Sequence, residues 1–220
     1  MIREIIVTED GSHTIQIVDW NEQYHSIHGA KQEALHVYIN TGFCALDLPK
    51  LRVLEIGYGT GLNCFLTYIS AKEKGGVVEY TGIEAFPISI EEHSILNYCD
   101  EFDDESRAVY QAMYQAKFGD TTKLTDSFKL TKIESSFEDW QTPENQFDVI
   151  YYDAFGPPVQ PELWTVEMFQ KMYNGLETGG VLVTYCAKGQ VKRNLKEVGF
   201  RVENLPGPPG KREITRAWKN

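Results

Sequence analysis

Residues 51–62, LRVLEIGYGTGL, decide how this chain folds. Leu51, Val53, Leu54 and Ile56 make an apolar run of strand length, as expected of a strand buried on both faces. Glycines at 57, 59 and 61 then turn the chain, and a helical pattern follows from Leu62 to about Lys72. A strand that ends in glycines before a helix leaves backbone N–H groups and a positive helix end facing a ligand. Side chains at those positions would block the ligand or forbid the turn. The stretch therefore predicts an α/β domain with its site at the carboxyl edge of a sheet.

Two ligand classes use such a loop. A dinucleotide fingerprint places a small residue five positions after the first glycine. Here that residue is Leu62. The other pattern, E-x-G-x-G-x-G, belongs to enzymes that bind S-adenosylmethionine, and Glu55, Gly57, Gly59 and Gly61 fit it. A tight strand-to-helix turn without a ligand is the third reading. A second β-branched run, residues 77–83, ends at Glu84. An acid at that strand tip can accept hydrogen bonds from both hydroxyls of a ribose lying along the loop.

Composition bounds the rest. The 220 residues, 42% apolar, suffice for one core and one domain. No apolar run reaches membrane-spanning length, and the first residues lack a secretory pattern. Cys44, Cys64, Cys99 and Cys186 form neither a C-x-x-C pair nor a zinc pattern with histidine. The expectation is a soluble cytoplasmic protein with reduced thiols and no metal. Net charge is −11, yet residues 186–220 hold nine of the 21 Lys/Arg and three of the 32 Asp/Glu. Lys188, Lys211 and Arg212 in this basic stretch are candidate phosphate contacts; a solvated surface is the plainer reading.

Taken in order, Ile5 and Val7, then Ile15 and Ile17, flank Asp10-Gly11 as a hairpin. Residues 24–43 suit a short helix with a polar rim of His25, Ser26, His28, Glu33 and His36 over the glycine loop. Helices are expected at 88–97 and 105–117, with an acidic solvated loop between them. A third strand at 128–133 leads into ESSFEDW, where Glu138 and Asp139 read as first-turn acids of a helix. A fourth strand, 147–152, delivers Asp153 and a proline-stiffened loop, 154–158, to the sheet edge. A helix after Pro161, a fifth strand at 180–185, a helix at 191–198 and two terminal strands complete a doubly wound α/β sheet. Residues 1–45 read as a hairpin and helical cover, and 46–220 as the core of a single domain.

These pieces resemble the class I S-adenosylmethionine-dependent methyltransferases. Within them the chain resembles the tRNA 5-methylaminomethyl-2-thiouridine methyltransferases, the MnmC methyltransferase domain and stand-alone MnmD. The resemblance rests on VLEIGYGTGLN, GIEAFP, YYDAFGPPVQPELWT, TYCAKGQVKRNLKEVGFRV and GKREITRA, and covers the chain from about Tyr24 onward. It implies a Rossmann-like seven-stranded, mostly parallel sheet with one antiparallel strand near the end. It implies methyl transfer (EC 2.1.1.61-like) to the exocyclic amine of 5-aminomethyl-2-thiouridine at the tRNA wobble position. Glu55, Gly57, Gly59 and Gly61 would line the methionine part of the cofactor, Glu84 the ribose and Ser135 the adenine side. Asp153, also beside the cofactor, and Phe155 would face the reacting amine. Departures are Glu134-Ser135 in place of Gly-Asp, and Gly156-Pro157-Pro158 in the loop after Asp153. No flavin motif is present in these residues, so FAD is not expected here and a separate oxidoreductase partner is. The rival readings are an aminopropyltransferase of the spermidine-synthase type and a non-catalytic RNA-binding module on the same sheet.

Overall fold

The computed structural model describes residues 2–220. Its centre is an eight-stranded sheet built from β4 (Lys50–Ile56), β5 (Val77–Glu84), β6 (Thr121–Lys123), β7 (Phe128–Glu134), β8 (Phe147–Tyr152), β9 (Leu176–Thr184), β10 (Arg201–Pro206) and β11 (Glu213–Trp218). The order is β10-β11-β9-β8-β4-β5-β7-β6. Strands β9, β8, β4, β5 and β7 pair in parallel, while β11 is antiparallel to both β9 and β10. The single reversed strand among seven is thus β11, as the resemblance implies. The eighth, β6, is an antiparallel edge addition on β7 that three exposed or half-exposed residues, Thr-Thr-Lys, do not announce.

Both faces of the sheet are covered. On β4, Val53 faces one core and Leu54 the other; on β8, Val149 and Tyr151 face the first, Ile150 and Tyr152 the second. Helices α2 (Leu62–Lys74) and α4 (Asp104–Gln115) pack on the first face. On the second lie α5 (Val166–Gly175) and α6 (Gly189–Glu197). That double burial is why the central strands carry near-continuous apolar residues.

A small antiparallel sheet, β1 (Arg3–Val7), β2 (His13–Ile17) and β3 (Glu22–Gln23), lies beside the carboxyl edge of β5. Arg3 clips it there: one guanidinium nitrogen donates to the Phe86 carbonyl at 2.8 Å and another to Glu92 at 3.2 Å. The helix expected within 24–43 is α1 (Ala30–Ala34), which widens into a π-type turn over Leu35–Asn40. The helix expected at 88–97 is only α3 (Ile90–Ile95), opened by a reciprocal cap between Ser89 and Glu92. No helix begins at Glu138 and Asp139. Ser136 instead closes a turn, its hydroxyl accepting from the Asp139 N–H at 3.2 Å and donating to the Asp139 carboxylate at 2.7 Å. Strand β9 begins at Leu176, ahead of the expected Gly180, through an irregular register opposite Phe147–Val149. Among the described residues no helix is long and apolar enough to cross a membrane.

Candidate active site

The carboxyl ends of β4, β5 and β8 open into one crevice of about 440 Å³. Glu55, Gly57, Gly59, Glu84, Ser135, Asp153, Phe155 and Lys211 all border it. Gly57 has φ +86°, and a Cβ there would stand 2.6 Å from the Asp153 carbonyl oxygen. The glycine loop and the loop after β8 therefore touch through bare backbone, which the Asp153 N–H to Ile56 carbonyl bond of 2.9 Å reinforces. Gly61 is used differently. It caps α2 against the Tyr58 ring and does not itself line the crevice.

Glu84 is held in place by two backbone donors, the Gly59 N–H at 2.7 Å and the Phe86 N–H at 2.8 Å. Ser135 bonds through its N–H to the Glu84 carbonyl at 3.1 Å, and its hydroxyl donates to the Ser136 carbonyl. Ser135 and Phe137 form the wall beyond Glu84. Phe155 is half-buried, edge-on to Trp20 at 5.5 Å and to Tyr24 at 5.3 Å. It thereby joins the loop after β8 to the N-terminal cover.

The floor of the crevice is a chain of polar groups. Tyr80 donates its hydroxyl to Glu55 at 2.7 Å, and the Asn63 amide donates to both Glu55 and Asp153 at 2.8 Å. The Tyr38 hydroxyl donates to the other oxygen of Asp153. Burial pushes the Glu55 carboxyl well above its ordinary range, and the neighbouring Asp153 charge adds to this. Burial likewise pushes Asp153 up to about 7, although the Tyr38 and Asn63 donors and the Lys211 charge pull the other way. His25, bonded to the Thr60 hydroxyl at 2.9 Å, is pushed down to about 4 by burial. It is a neutral wall at pH 7.

The residues expected as phosphate contacts separate. Lys188 is exposed just before α6, and the Arg212 side chain is 95% exposed. Lys211 turns inward, paired with Glu33 and lying 4.1 Å from the centre of the Tyr185 ring. A glycine-rich turn carries it over the crevice, where the buried carboxylate of Glu33 draws the ammonium in. Of the expected rim, His25, Ser26, His28 and Glu33 line the crevice, whereas His36 bonds the Pro206 carbonyl outside it. Sequence reading missed Tyr38, Asn63 and Tyr185. Asn63 was the most findable, being the second residue of the helix that follows the glycines.

A glycine loop after the first core strand, an acid at the tip of the second and one reversed strand, β11, held between β9 and the edge strand β10 define the class I methyltransferase arrangement. Residues 101–220 match the family of S-adenosyl-L-methionine-dependent methyltransferases, and the chain belongs to that family. Among curated relatives, the tRNA 5-methylaminomethyl-2-thiouridine biosynthesis bifunctional protein MnmC of Pseudoalteromonas atlantica is 29% identical over 182 residues, 76% of this chain and 26% of that one. The MnmC of Paracidovorax citrulli is 28% identical over 219 residues, 91% of this chain and 34% of that one. The chain thus spans about a quarter to a third of these relatives' length. Among solved structures, MnmC2 from Aquifex aeolicus superposes with a TM-score of 0.80 at 22% identity, covering 99% of this chain and 70% of that one. Spermidine synthase from Thermotoga maritima gives 0.59 at 14% identity, covering 100% and 80%. At these identities the two structures share the fold.

Proposed function

We propose that this chain is an N-methyltransferase that converts 5-aminomethyl-2-thiouridine to 5-methylaminomethyl-2-thiouridine at the tRNA wobble position. The observation that carries the proposal is the placement of Asp153 against Gly57 in the crevice that Glu84 also lines. The crevice suits S-adenosylmethionine. Gly57 keeps one wall free of side chain, and Glu84 is fixed with lone pairs to spare for ribose hydroxyls. Glu55, Gly57 and Gly59 would border the methionine part and Ser135 the adenine side. The cofactor supplies a sulfonium methyl as electrophile; the protein has to manage the nucleophile.

An alkylamine with a lysine-like pKa of ~10.4 is protonated at pH 7, and its neutral form costs roughly 4–5 kcal/mol. Delivering that proton to an ordinary aspartate spans about 6.5 pKa units, or ~9 kcal/mol. Delivering it to Asp153 at about 7 spans roughly half of that. The burial that raises this carboxyl thus removes ~4 kcal/mol from the proton transfer. Tyr38 and Asn63 hold both carboxylate oxygens, so the group is oriented as well as tuned. Holding the amine in a reactive alignment can supply a further ~7–11 kcal/mol. Phe155 offers an aromatic ring at the crevice wall, the kind of side chain on which splayed-out RNA bases stack. Lys188 and Arg212, exposed on the same basic stretch, would meet the tRNA backbone. The aminomethyl group would be supplied by a separate oxidoreductase activity.

The rival aminopropyltransferase reading draws on the acids Glu22, Glu33 and Asp153 in the crevice, which suit a polyamine. Lys211, paired with Glu33, stands among them, so the crevice already holds one cation at rest. Methyl transfer from labelled cofactor into tRNA that lacks this modification, run beside decarboxylated cofactor with putrescine, separates the two. Label in the wobble nucleoside supports the proposal; turnover with putrescine alone overturns it.

A further inference from the structure

The ammonium of Lys211 is chemically the same group as the protonated amine of the proposed substrate, an alkylammonium on a flexible stem. Its surroundings are built for such a cation. Glu33 is nine-tenths buried, and one of its oxygens already accepts the Ser26 N–H at 2.8 Å, leaving the other for Lys211. The Tyr185 ring presents its face to the ammonium at 4.1 Å. That ring is itself fixed, its hydroxyl donating to the Ala154 carbonyl at 2.9 Å, one residue beyond Asp153. Glu33, Asp153, Tyr185 and Lys211 all border the one crevice.

Lys211 is also free to leave. It sits on the turn joining β10 to β11, and its side chain is 30% exposed, more open than that of its partner. The turn is held by contacts that do not use the Lys211 side chain. Gly210, at φ +82°, packs so closely on His28 that a Cβ would stand 2.2 Å from the ring. The Gly207 N–H bonds the Arg212 carbonyl at 3.1 Å.

We propose that Glu33 and the face of Tyr185 form an alkylammonium seat which Lys211 occupies at rest, and from which the substrate's own aminomethyl group displaces it. This rests on the reading of the substrate as an amine and adds what receives it. The displaced lysine is released toward the crevice mouth, where an RNA phosphate can take its charge. A crevice that holds a captive cation also spares Glu33 and Asp153 from facing each other unneutralised inside it.

The test is binding of a small probe, independent of tRNA. Ethylammonium chloride is titrated into the wild-type protein, Lys211→Ala, Lys211→Met and the double variant Lys211→Met with Glu33→Gln. Affinity is followed by NMR shifts of the probe, with sodium chloride matching ionic strength. Lys211→Met keeps the stem over Tyr185, so it reports even where the alanine variant loosens the turn. Both single variants should bind the probe at least tenfold more tightly than wild type, and the double variant should lose that gain. Equal affinity in wild type and Lys211→Met, or a gain that survives Glu33→Gln, overturns the proposal. Methylation of tRNA is assayed in parallel. If the seat behaves as stated and no tRNA is methylated, the substrate reading fails and the seat stands. If tRNA is methylated and the probe ignores Lys211, the seat fails alone.

Discussion

Replacing Tyr38 by phenylalanine removes one hydroxyl from a fully enclosed site and keeps the ring that packs against Tyr151. The lost bond is a donation to a buried carboxylate, a class worth about 1.5–3 kcal/mol. At ~1.4 kcal/mol per unit, the Asp153 pKa should rise by roughly one to two units. From about 7 in the wild type it would reach ~8–9 in the variant. The carboxylate is the working form, so its population at pH 7 should fall from about a half to between ~10% and ~1%. The expected loss in kcat/KM at pH 7 is therefore about 5- to 50-fold, recovered as pH is raised. The assay is labelled methyl transfer into unmodified tRNA from pH 5.5 to 9.5, with affinity for S-adenosylhomocysteine as the control. An acidic limb that stays near pH 7 in Tyr38→Phe, or moves down, would refute the coupling between this hydroxyl and Asp153.

Four further outcomes are expected. Asp153→Ala should nearly abolish methylation while S-adenosylhomocysteine affinity, read by calorimetry, stays within an order of magnitude; equal loss of both would remove Asp153 from its assigned role. Asp153→Asn should gain stability over wild type at high pH. The folded-state pKa lies above the ordinary 3.8, so the native protein holds the extra proton and loses stability as pH climbs from about 4 through about 7. Melting curves at pH 4 and pH 8 should show the asparagine advantage, up to a few kcal/mol, only at the higher pH. Gly57→Ala combines a backbone at φ +86° with a Cβ 2.6 Å from a carbonyl oxygen, so it should cost at least ~1–3 kcal/mol of stability and most cofactor binding. Neutralising Lys188 and Arg212 together should lower the slope of log affinity for tRNA against log salt by roughly 0.7–0.9 per side chain.

Much of the fold was legible because buried parallel strands and the glycines that end them write a strong local signal. β4, β5 and β8 fall close to where their apolar runs place them, and Glu84 and Asp153 sit at the tips of two of these strands. Short and exposed pieces were not legible. β6 pairs with the edge that β7 offers, and α3 runs for only six residues before Leu96 turns extended. The site was readable where it follows a strand end and unreadable where it is assembled from afar. Tyr38 lies 115 residues from Asp153 and is aimed by a π-type turn that has no sequence signature. Lys211 belongs by composition to a basic stretch, and only the fold shows that Glu33, 178 residues away, turns it inward.

The mouth of the crevice brings residues 24–36 against 206–211: Glu33 meets Lys211 and His28 meets Gly210, and just outside it His36 meets Pro206. Contacts so distant along the chain depend on the sheet between them, which brings both segments to one edge. The glycine loop, Glu84 and Asp153 stand on β4, β5 and β8, whereas the opposite side of the opening is supplied by residues 210 and 211, between the last two strands. On the proposed reading, the methyl donor and the amine would therefore be met by different parts of the chain, the donor by the central strands and the amine by the closing hairpin together with residues 24–36.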